Sequence, residues 1–204
     1  MSKLKIAVII SSTRDSRFGD KPAQWILEKA NERGDIEATL LDLRDYDLPF
    51  FNEMASNLWM PSSDPKAVAW QKKVAEFDGF IFVVAEYNRS ITAALKNALD
   101  QAYNEWNKKP FGIVAYGSVG GTRAAEHLRT IGVELQMVST RSAVHIAGGD
   151  FLAVHPTFGG TKSLKDIEGS IGSAANDMLS QLAWWGNATK AARNDDAAAK
   201  QAAE

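Results

Sequence analysis

The feature of this sequence that most constrains its fold is a series of short apolar runs separated by longer, more polar stretches. Residues 4–10, 79–84 and 111–116 consist mainly of Ile, Val, Phe, Leu and Ala and do not alternate with polar residues. Such runs are typical of parallel strands that are covered on both faces. Residues 36–43 predict a further strand, and the more polar residues 138–146 predict a fifth strand near an edge of the sheet.

Helical patterns lie between these strands, at residues 21–33, 65–77, 92–106, 122–131 and 164–185. Alternation of strands and helices predicts a doubly wound α/β fold, with a five-stranded parallel sheet and helices on both faces. The expected strand order is 2-1-3-4-5. We expect one domain over residues 1–186, followed by an alanine-rich tail over residues 187–204.

Composition narrows the functional classes. The 204 residues carry 23 basic and 25 acidic side chains, a net charge of -2, which disfavours nucleic acid and anionic membranes as partners. Cysteine is absent, which excludes thiolate chemistry and suits a reducing compartment. Apolar runs fall short of the roughly 20 residues that a membrane span needs. We therefore expect a cytoplasmic protein without a membrane partner.

Ligands of doubly wound sheets bind at the carboxyl ends of the strands, where the strand order reverses. The loop at residues 11–20 offers hydroxyl groups and a helix N-terminus, and Arg14 and Arg17 add forked donors that suit phosphate oxygens. Alternatively, Ser and Thr only cap the turn and both arginines are solvated. Neither dinucleotide nor P-loop glycine patterns are present, so a mononucleotide phosphate is favoured.

Two further loops complete this edge of the sheet. In residues 85–91, Tyr87 offers a wall for a flat heteroaromatic ring, although Asn88 and Ser90 also suit helix capping. In residues 117–121, three glycines allow the backbone to approach a ligand closely, or else form only a tight turn. His127, His145 and His155 are isolated and have no recognisable metal-ligand spacing.

Three motifs carry a resemblance to a known family. Ser-Ser-Thr-Arg at residues 11–14, Glu-Tyr-Asn-Arg-Ser at 86–90 with Leu-Lys-Asn-Ala-Leu-Asp at 95–100, and Tyr-Gly-Ser-Val-Gly-Gly-Thr-Arg-Ala at 116–124 occur in this order. Together they resemble the NADPH-dependent FMN reductase family over roughly residues 5–146. The resemblance implies a flavodoxin-like fold, bound FMN, and reduction of flavin, quinone, azo or similar small-molecule acceptors by NAD(P)H, usually in homodimers or homotetramers.

The resemblance also assigns site residues by position. It implies a phosphate site formed by Ser12, Arg14, Arg17, Phe18 and Gly19. It implies a border to the flavin ring formed by Glu86, Tyr87, Asn88 and Arg89, with Ser118, Gly120 and Gly121 approaching from the third loop. Ser11, Ala85 and Thr92 depart from the usual glycine, proline and proline of the family, which predicts a looser flavin loop.

Flavin chemistry needs no catalytic side chain, since the cofactor itself accepts hydride. Without a dinucleotide fingerprint, NAD(P)H is expected to be a passing substrate, which predicts a ping-pong cycle. Two alternatives remain open at this point: a flavodoxin-type electron carrier, and a regulatory protein that responds to the state of its flavin. For subunit contacts, the sequence favours the helix at residues 92–106 and the apolar loop at residues 48–60.

Overall fold

The computed structural model describes residues 3–202 and contains one parallel sheet. Its strands are β1 (Leu4–Ile10), β2 (Ile36–Asp42), β3 (Gly79–Ala85), β4 (Pro110–Tyr116), β5 (Val138–Ser139) and β6 (Val144–Ile146). The order is β2-β1-β3-β4-β5, and β6 also pairs with β4. The predicted fold class and the order 2-1-3-4-5 are therefore confirmed.

In the described part of the chain, six α-helices connect and cover the strands. They are α1 (Asp20–Asn31), α2 (Pro65–Ala75), α3 (Ala93–Asp100), α4 (Thr122–Glu134), α5 (Gly148–Val154) and α6 (Glu168–Gln201). Alternate residues of β1 point to opposite faces, so Ile6 and Val8 pack in a core with α1 and α6. On the other face, Ala7 and Ile9 pack in a core with α2, α3 and α4. Helices thus cover both faces, as doubly wound sheets require.

The strand register aligns the loops that concern function. Ile10 at the end of β1 pairs with Val83 of β3, and Tyr116 at the end of β4 pairs with Ala85. Because these three strands are parallel and central, their following loops emerge side by side at one edge of the sheet.

Two helices end at residues other than those predicted: α3 ends earlier and α6 ends later. The expected helix at residues 92–106 ends at Asp100, and after it the chain folds back so that Nε1 of Trp106 donates a hydrogen bond to the carbonyl oxygen of Leu99 at 3.2 Å. Helix α6 continues past Trp185 to Gln201, through the expected boundary at residue 186. Lys190 and Arg193 of this extension form ion pairs with Asp78, which join the tail to the sheet.

The predicted fifth strand is interrupted. β5 pairs with the beginning of β4 and β6 pairs with its end. Between them, the side-chain oxygen of Gln181 accepts hydrogen bonds from the backbone amides of Arg141 and Ser142, which replace the missing ladder bonds. Across residues 3–202, none of the helices combines the length and apolar character needed to cross a membrane.

Candidate active site

A cleft lies at the carboxyl ends of β1, β3 and β4, the position that the sequence predicted for a ligand. It is lined by Arg14, Ser16, Arg17, Phe18, Ala85, Glu86, Tyr87, Tyr116, Gly117, Phe151, His155, Thr157 and Phe158. Residues from the first two predicted loops thus meet in one cleft, and Gly117 brings the start of the third loop to it.

The two arginines of the first loop have different surroundings. The guanidinium of Arg17 forms a bidentate pair with the carboxylate of Asp42, with N–O distances of 2.6 and 2.5 Å, and also donates to the carbonyl oxygen of Ser12 at 3.2 Å. Burial by itself would raise the pKa of Asp42, but hydrogen bonds from Arg17 and from the Arg44 amide outweigh it and lower that pKa. Arg14 is exposed and its guanidinium lies 5.8 Å from the ring centroid of Tyr87.

This arrangement changes the prediction for the phosphate site. Asp42, at the end of β2, neutralises the charge of Arg17, and both terminal nitrogens of the Arg17 guanidinium already donate hydrogen bonds to its carboxylate. Arg14 keeps an exposed guanidinium at the cleft. Of the two predicted phosphate donors, Arg14 is therefore the one with its charge available to an anion.

The second loop is a tight hairpin turn. Tyr87 and Ser90 exchange both backbone hydrogen bonds at 3.0 Å, and the two central residues, Asn88 and Arg89, have φ angles of 50° and 69°. Positive φ at both central positions is the geometry of a type I′ turn, which is costly for arginine. The phenol of Tyr87 lies 3.0 Å from the hydroxyl of Ser12, so this hydrogen bond joins the second loop to the first.

Glu86 has a structural partner as well as a place in the cleft. Its carboxylate accepts a hydrogen bond from the backbone amide of Arg123 at 3.2 Å and forms an ion pair with the Arg123 guanidinium. Arg123 lies in the first turn of α4, where backbone amides favour a negative charge. Glu86 therefore fixes the end of β3 to the start of α4.

The third loop requires its glycines. Gly120 and Gly121 have φ angles of 73° and 63°. A Cβ atom at Gly121 would lie 2.8 Å from the Cβ of Ala115 and 2.9 Å from the amide nitrogen of Tyr116. The chain can pass this close to β4 only without a side chain, which brings the loop against the end of the sheet.

An aromatic wall closes the remaining side of the cleft, and it contains residues that the sequence analysis missed. It consists of Phe18, Phe151, His155 and Phe158. The ring of His155 lies 4.9 Å from Phe18, 4.9 Å from Phe151 and 5.0 Å from Phe158. Phe18 was predicted as a site residue, but the other three were not, because Gly-Gly at the start of α5 argues against a helix and nothing local indicates that Phe151 and His155 return to the first loop.

The remaining predicted residues support the cleft from behind or lie beside it. Ser12 is buried and bonded to Tyr87, and a Cβ at Gly19 would lie 2.7 Å from the hydroxyl of Tyr116. Five further predicted residues belong to the second and third loops but do not line the cleft: Asn88, Arg89, Ser118, Gly120 and Gly121. Burial raises the pKa of Tyr116 well above its ordinary value, so its phenol stays neutral.

The three departures from the family motifs have different consequences. Thr92 takes over the start of α3: its hydroxyl accepts from the amide of Leu95 at 3.1 Å and donates to the carbonyl oxygen of Ser11 at 2.6 Å. Thr92 thereby links the first loop to the start of α3, directly after the second loop. The hydroxyl of Ser11 is buried without a hydrogen-bond partner among residues 3–202. Ala85 continues β3 to its end.

The cleft fits a flavin mononucleotide. Arg14 and the hydroxyl of Ser16 supply donors near the N-terminus of α1, where a phosphate is favoured. At the ends of β3 and β4 the cleft is lined by Ala85, Tyr87 and Tyr116, and such apolar and aromatic surface suits a flat heteroaromatic ring. The buried hydroxyl of Ser11, which has no hydrogen-bond partner within residues 3–202, lies at the same edge of the sheet.

The strand order and the cleft at the switch point define a flavodoxin-like α/β protein with a site for a mononucleotide. Comparison with known proteins agrees with this class. The family model described as NADPH-dependent FMN reductase matches residues 4–150. Since this is more than half of the chain, the chain belongs to the NADPH-dependent FMN reductase family. The predicted family, the oxidoreductase class and the FMN cofactor are thus confirmed.

Two curated relatives agree with this family, and a solved structure shows the same fold. The NAD(P)H-dependent FMN reductase ntnL of Nectria sp is 31% identical over 173 residues, which cover 79% of this chain and 86% of that protein. An NADPH:quinone oxidoreductase of Arabidopsis thaliana is 44% identical over 141 residues, 66% of this chain and 69% of that protein. The structure of the flavoenzyme FerB, an NAD(P)H:(acceptor) oxidoreductase from Paracoccus denitrificans, has a TM-score of 0.65 at 22% identity and covers 91% of this chain and 98% of that chain.

Proposed function

We propose that this protein oxidises NAD(P)H and reduces quinone or flavin acceptors by means of FMN held in the cleft. The observation that carries this proposal is the convergence of Arg14, the hairpin turn at Tyr87 and the turn at Gly117 on one cleft at the switch point of the sheet. Relatives named as FMN reductases and as quinone oxidoreductases support the acceptor class. When bound, FMN supplies the electron chemistry.

The residues of the protein bind FMN and orient it. We assign the FMN phosphate to Arg14 and Ser16 at the start of α1, and the ring to the edges of the Tyr87 and Gly117 loops. Glu86 and Ser12 hold these loops in place through Arg123 and Tyr87. Asn88, Arg89, Ser118, Gly120 and Gly121 contribute backbone next to the ring in this proposal. Fixed backbone N–H groups stabilise the negative charge that develops on a reduced flavin.

We further propose that NAD(P)H and the acceptor occupy the cleft in turn, which makes the kinetics ping-pong. The test is steady-state oxidation of NAD(P)H with menadione or FMN as acceptor, at several acceptor concentrations. Parallel double-reciprocal lines support the proposal. Intersecting lines would require a second substrate surface, and FMN binding without turnover would favour an electron carrier.

We also propose that the protein is a homodimer or homotetramer, with the loop between β2 and α2 as a contact surface. Phe50, Met54 and Trp59 of this loop are 84%, 89% and 78% exposed, an unusual amount of apolar surface for a monomer. Helix α3 is a weaker candidate than expected, since Leu95 and Leu99 are buried in their own core. Light scattering that reports a monomer at micromolar concentration would refute this assembly.

A cytoplasmic location is the remaining proposal, based on a cysteine-free sequence that suits a reducing compartment. Cell fractionation with the untagged protein tests it, and recovery in the membrane or secreted fraction would contradict it.

A further inference from the structure

The aromatic wall brings a histidine to the cleft from outside the matched family region. Residues 151–158 follow residue 150, where the family match ends. His155 and Thr157 of this segment line the cleft together with Arg14 and Ser16 of the first loop. The ring of His155 packs on Phe18 of the first loop, so this segment adds polar groups to the cleft beside the loop to which we assign the phosphate.

Contacts with its neighbours fix the ring of His155. Phe18 lies nearly parallel to it, with an interplanar angle of 30° and a centroid distance of 4.9 Å, and Phe151 and Phe158 flank it. Nδ1 accepts a hydrogen bond from the backbone amide of Thr157 at 3.3 Å. A neutral imidazole that accepts at one nitrogen carries its proton on the other, so Nε2 is the donor.

The charged groups around His155 are cationic. Arg14 comes from the first loop and Lys21 from α1, and after burial these two charges are the causes that lower the pKa of His155. The charge of Arg17 is balanced by Asp42, and Asp20 at the start of α1 acts on Arg17 and Tyr116. The other sides of the ring are covered by the three phenylalanines of the wall. Cationic groups that converge in this way favour an anionic ligand.

We propose that His155 contacts the phosphate group of FMN through Nε2 and makes FMN binding stronger as the pH falls toward 6. This inference rests on the proposed function. Protonation of Nδ1 ends its 3.3 Å hydrogen bond from the Thr157 amide, but a phosphate dianion at Nε2 favours the charged imidazolium more than this single neutral bond favours the neutral ring, so binding raises the pKa of His155. Affinity then rises as the pH falls through that raised pKa. The increase ends near about pH 6, where the phosphate itself takes up a proton.

The experiment compares FMN with riboflavin, which lacks the phosphate, by titrating the apo-protein and following quenching of flavin fluorescence. Wild type, His155→Gln and His155→Leu are measured between about pH 6 and pH 8, a range chosen around the ordinary pKa of histidine. Gln keeps a neutral N–H donor, and Leu fills space without one. Phe158→Leu changes the same aromatic wall and leaves His155 intact, and thermal unfolding confirms that each apo-variant is folded.

For wild type we expect FMN affinity to rise about tenfold as the pH falls from 8 to 6.5, the contribution of one charged hydrogen bond. His155→Leu loses this rise and binds FMN about tenfold more weakly at the lower pH. His155→Gln retains part of the affinity but none of the pH dependence. Phe158→Leu retains the pH dependence. Riboflavin affinity is the same in wild type and both His155 variants at every pH.

Two results would overturn the inference. One is FMN binding to His155→Leu with the same affinity and pH profile as wild type. The other is an equal loss of FMN and riboflavin affinity, which would make His155 a wall for the ring and not a phosphate contact. Failure of wild type to bind FMN at all is a different result, because it rejects the proposed function itself.

Discussion

Replacing Arg17 with Met distinguishes a structural arginine from a phosphate ligand. The side chains of Arg17 and Asp42 are 9% and 19% exposed, so the pair is largely covered. After the replacement, the Asp42 carboxylate keeps the amide of Arg44 as a donor at 3.0 Å but loses both guanidinium bonds. Breaking a fully buried pair costs about 3–5 kcal/mol, and partial exposure reduces this to about 1–3 kcal/mol of unfolding free energy.

Urea unfolding of the apo-protein at neutral pH measures this loss. The double variant Arg17→Met with Asp42→Asn should recover at least part of it, since no unpaired carboxylate remains. Arg14→Met is the matched control on the same loop: its exposed side chain leaves stability unchanged but weakens FMN binding. If Arg17→Met is as stable as wild type and loses FMN affinity as strongly as Arg14→Met, Arg17 is a phosphate ligand and this reasoning is wrong.

The same pair has a defined pH dependence. Because the pKa of Asp42 is lowered in the folded protein, its contribution to stability is complete above the ordinary value of 3.8 and is lost as the pH falls through the lower, folded-state pKa. The stability difference between wild type and Arg17→Met should therefore narrow in that acidic range. A difference that stays constant there would exclude an ionised Asp42 as its source.

Backbone conformation gives the remaining predictions. Gly121→Ala should lose about 2–4 kcal/mol of unfolding free energy, from its positive φ and its contact with β4. Gly148→Ala, with a φ of 50° and no atom of the described part of the chain within 4 Å of the added Cβ, should lose about 1 kcal/mol. Equal losses in urea unfolding would show that crowding at Gly121 is unimportant. Arg89→Gly should raise stability by about 0.5–1 kcal/mol by relieving its φ of 69°, and a destabilised variant would contradict that assignment of strain.

Most of the sheet could be predicted from the sequence, because a strand that is buried on both faces consists of consecutive apolar residues. All residues of β3 are buried, and the strand is apolar throughout. Once such strands are identified in the sequence, the loops that follow them are identified as well. Helix ends were harder to predict, because tertiary contacts decide them. After α3 the chain turns back so that Trp106 bonds to Leu99, and Asp78 holds the extended α6 through Lys190 and Arg193.

The site was predicted in part for the same reason. Arg14 and Tyr87 lie in the loops that follow β1 and β3, so topology places them at the cleft. The partner of Arg17 could not be predicted, since Asp42 lies at the end of another strand and its side chain direction depends on packing. Phe151 and His155 reach the cleft through the short helix α5, which was not predicted because it begins with two glycines. Their contacts with Phe18 are long-range and leave no pattern in the local sequence.

Reduction of bound FMN under anaerobic conditions tests the central claim most directly. The protein is loaded with FMN, mixed with NADPH or NADH, and followed by the absorbance of oxidised flavin, and menadione is then added. We predict that this absorbance disappears faster than with free FMN and returns on addition of the quinone. Bound FMN that neither nicotinamide nucleotide reduces faster than free FMN would contradict the assignment as an NAD(P)H-dependent reductase.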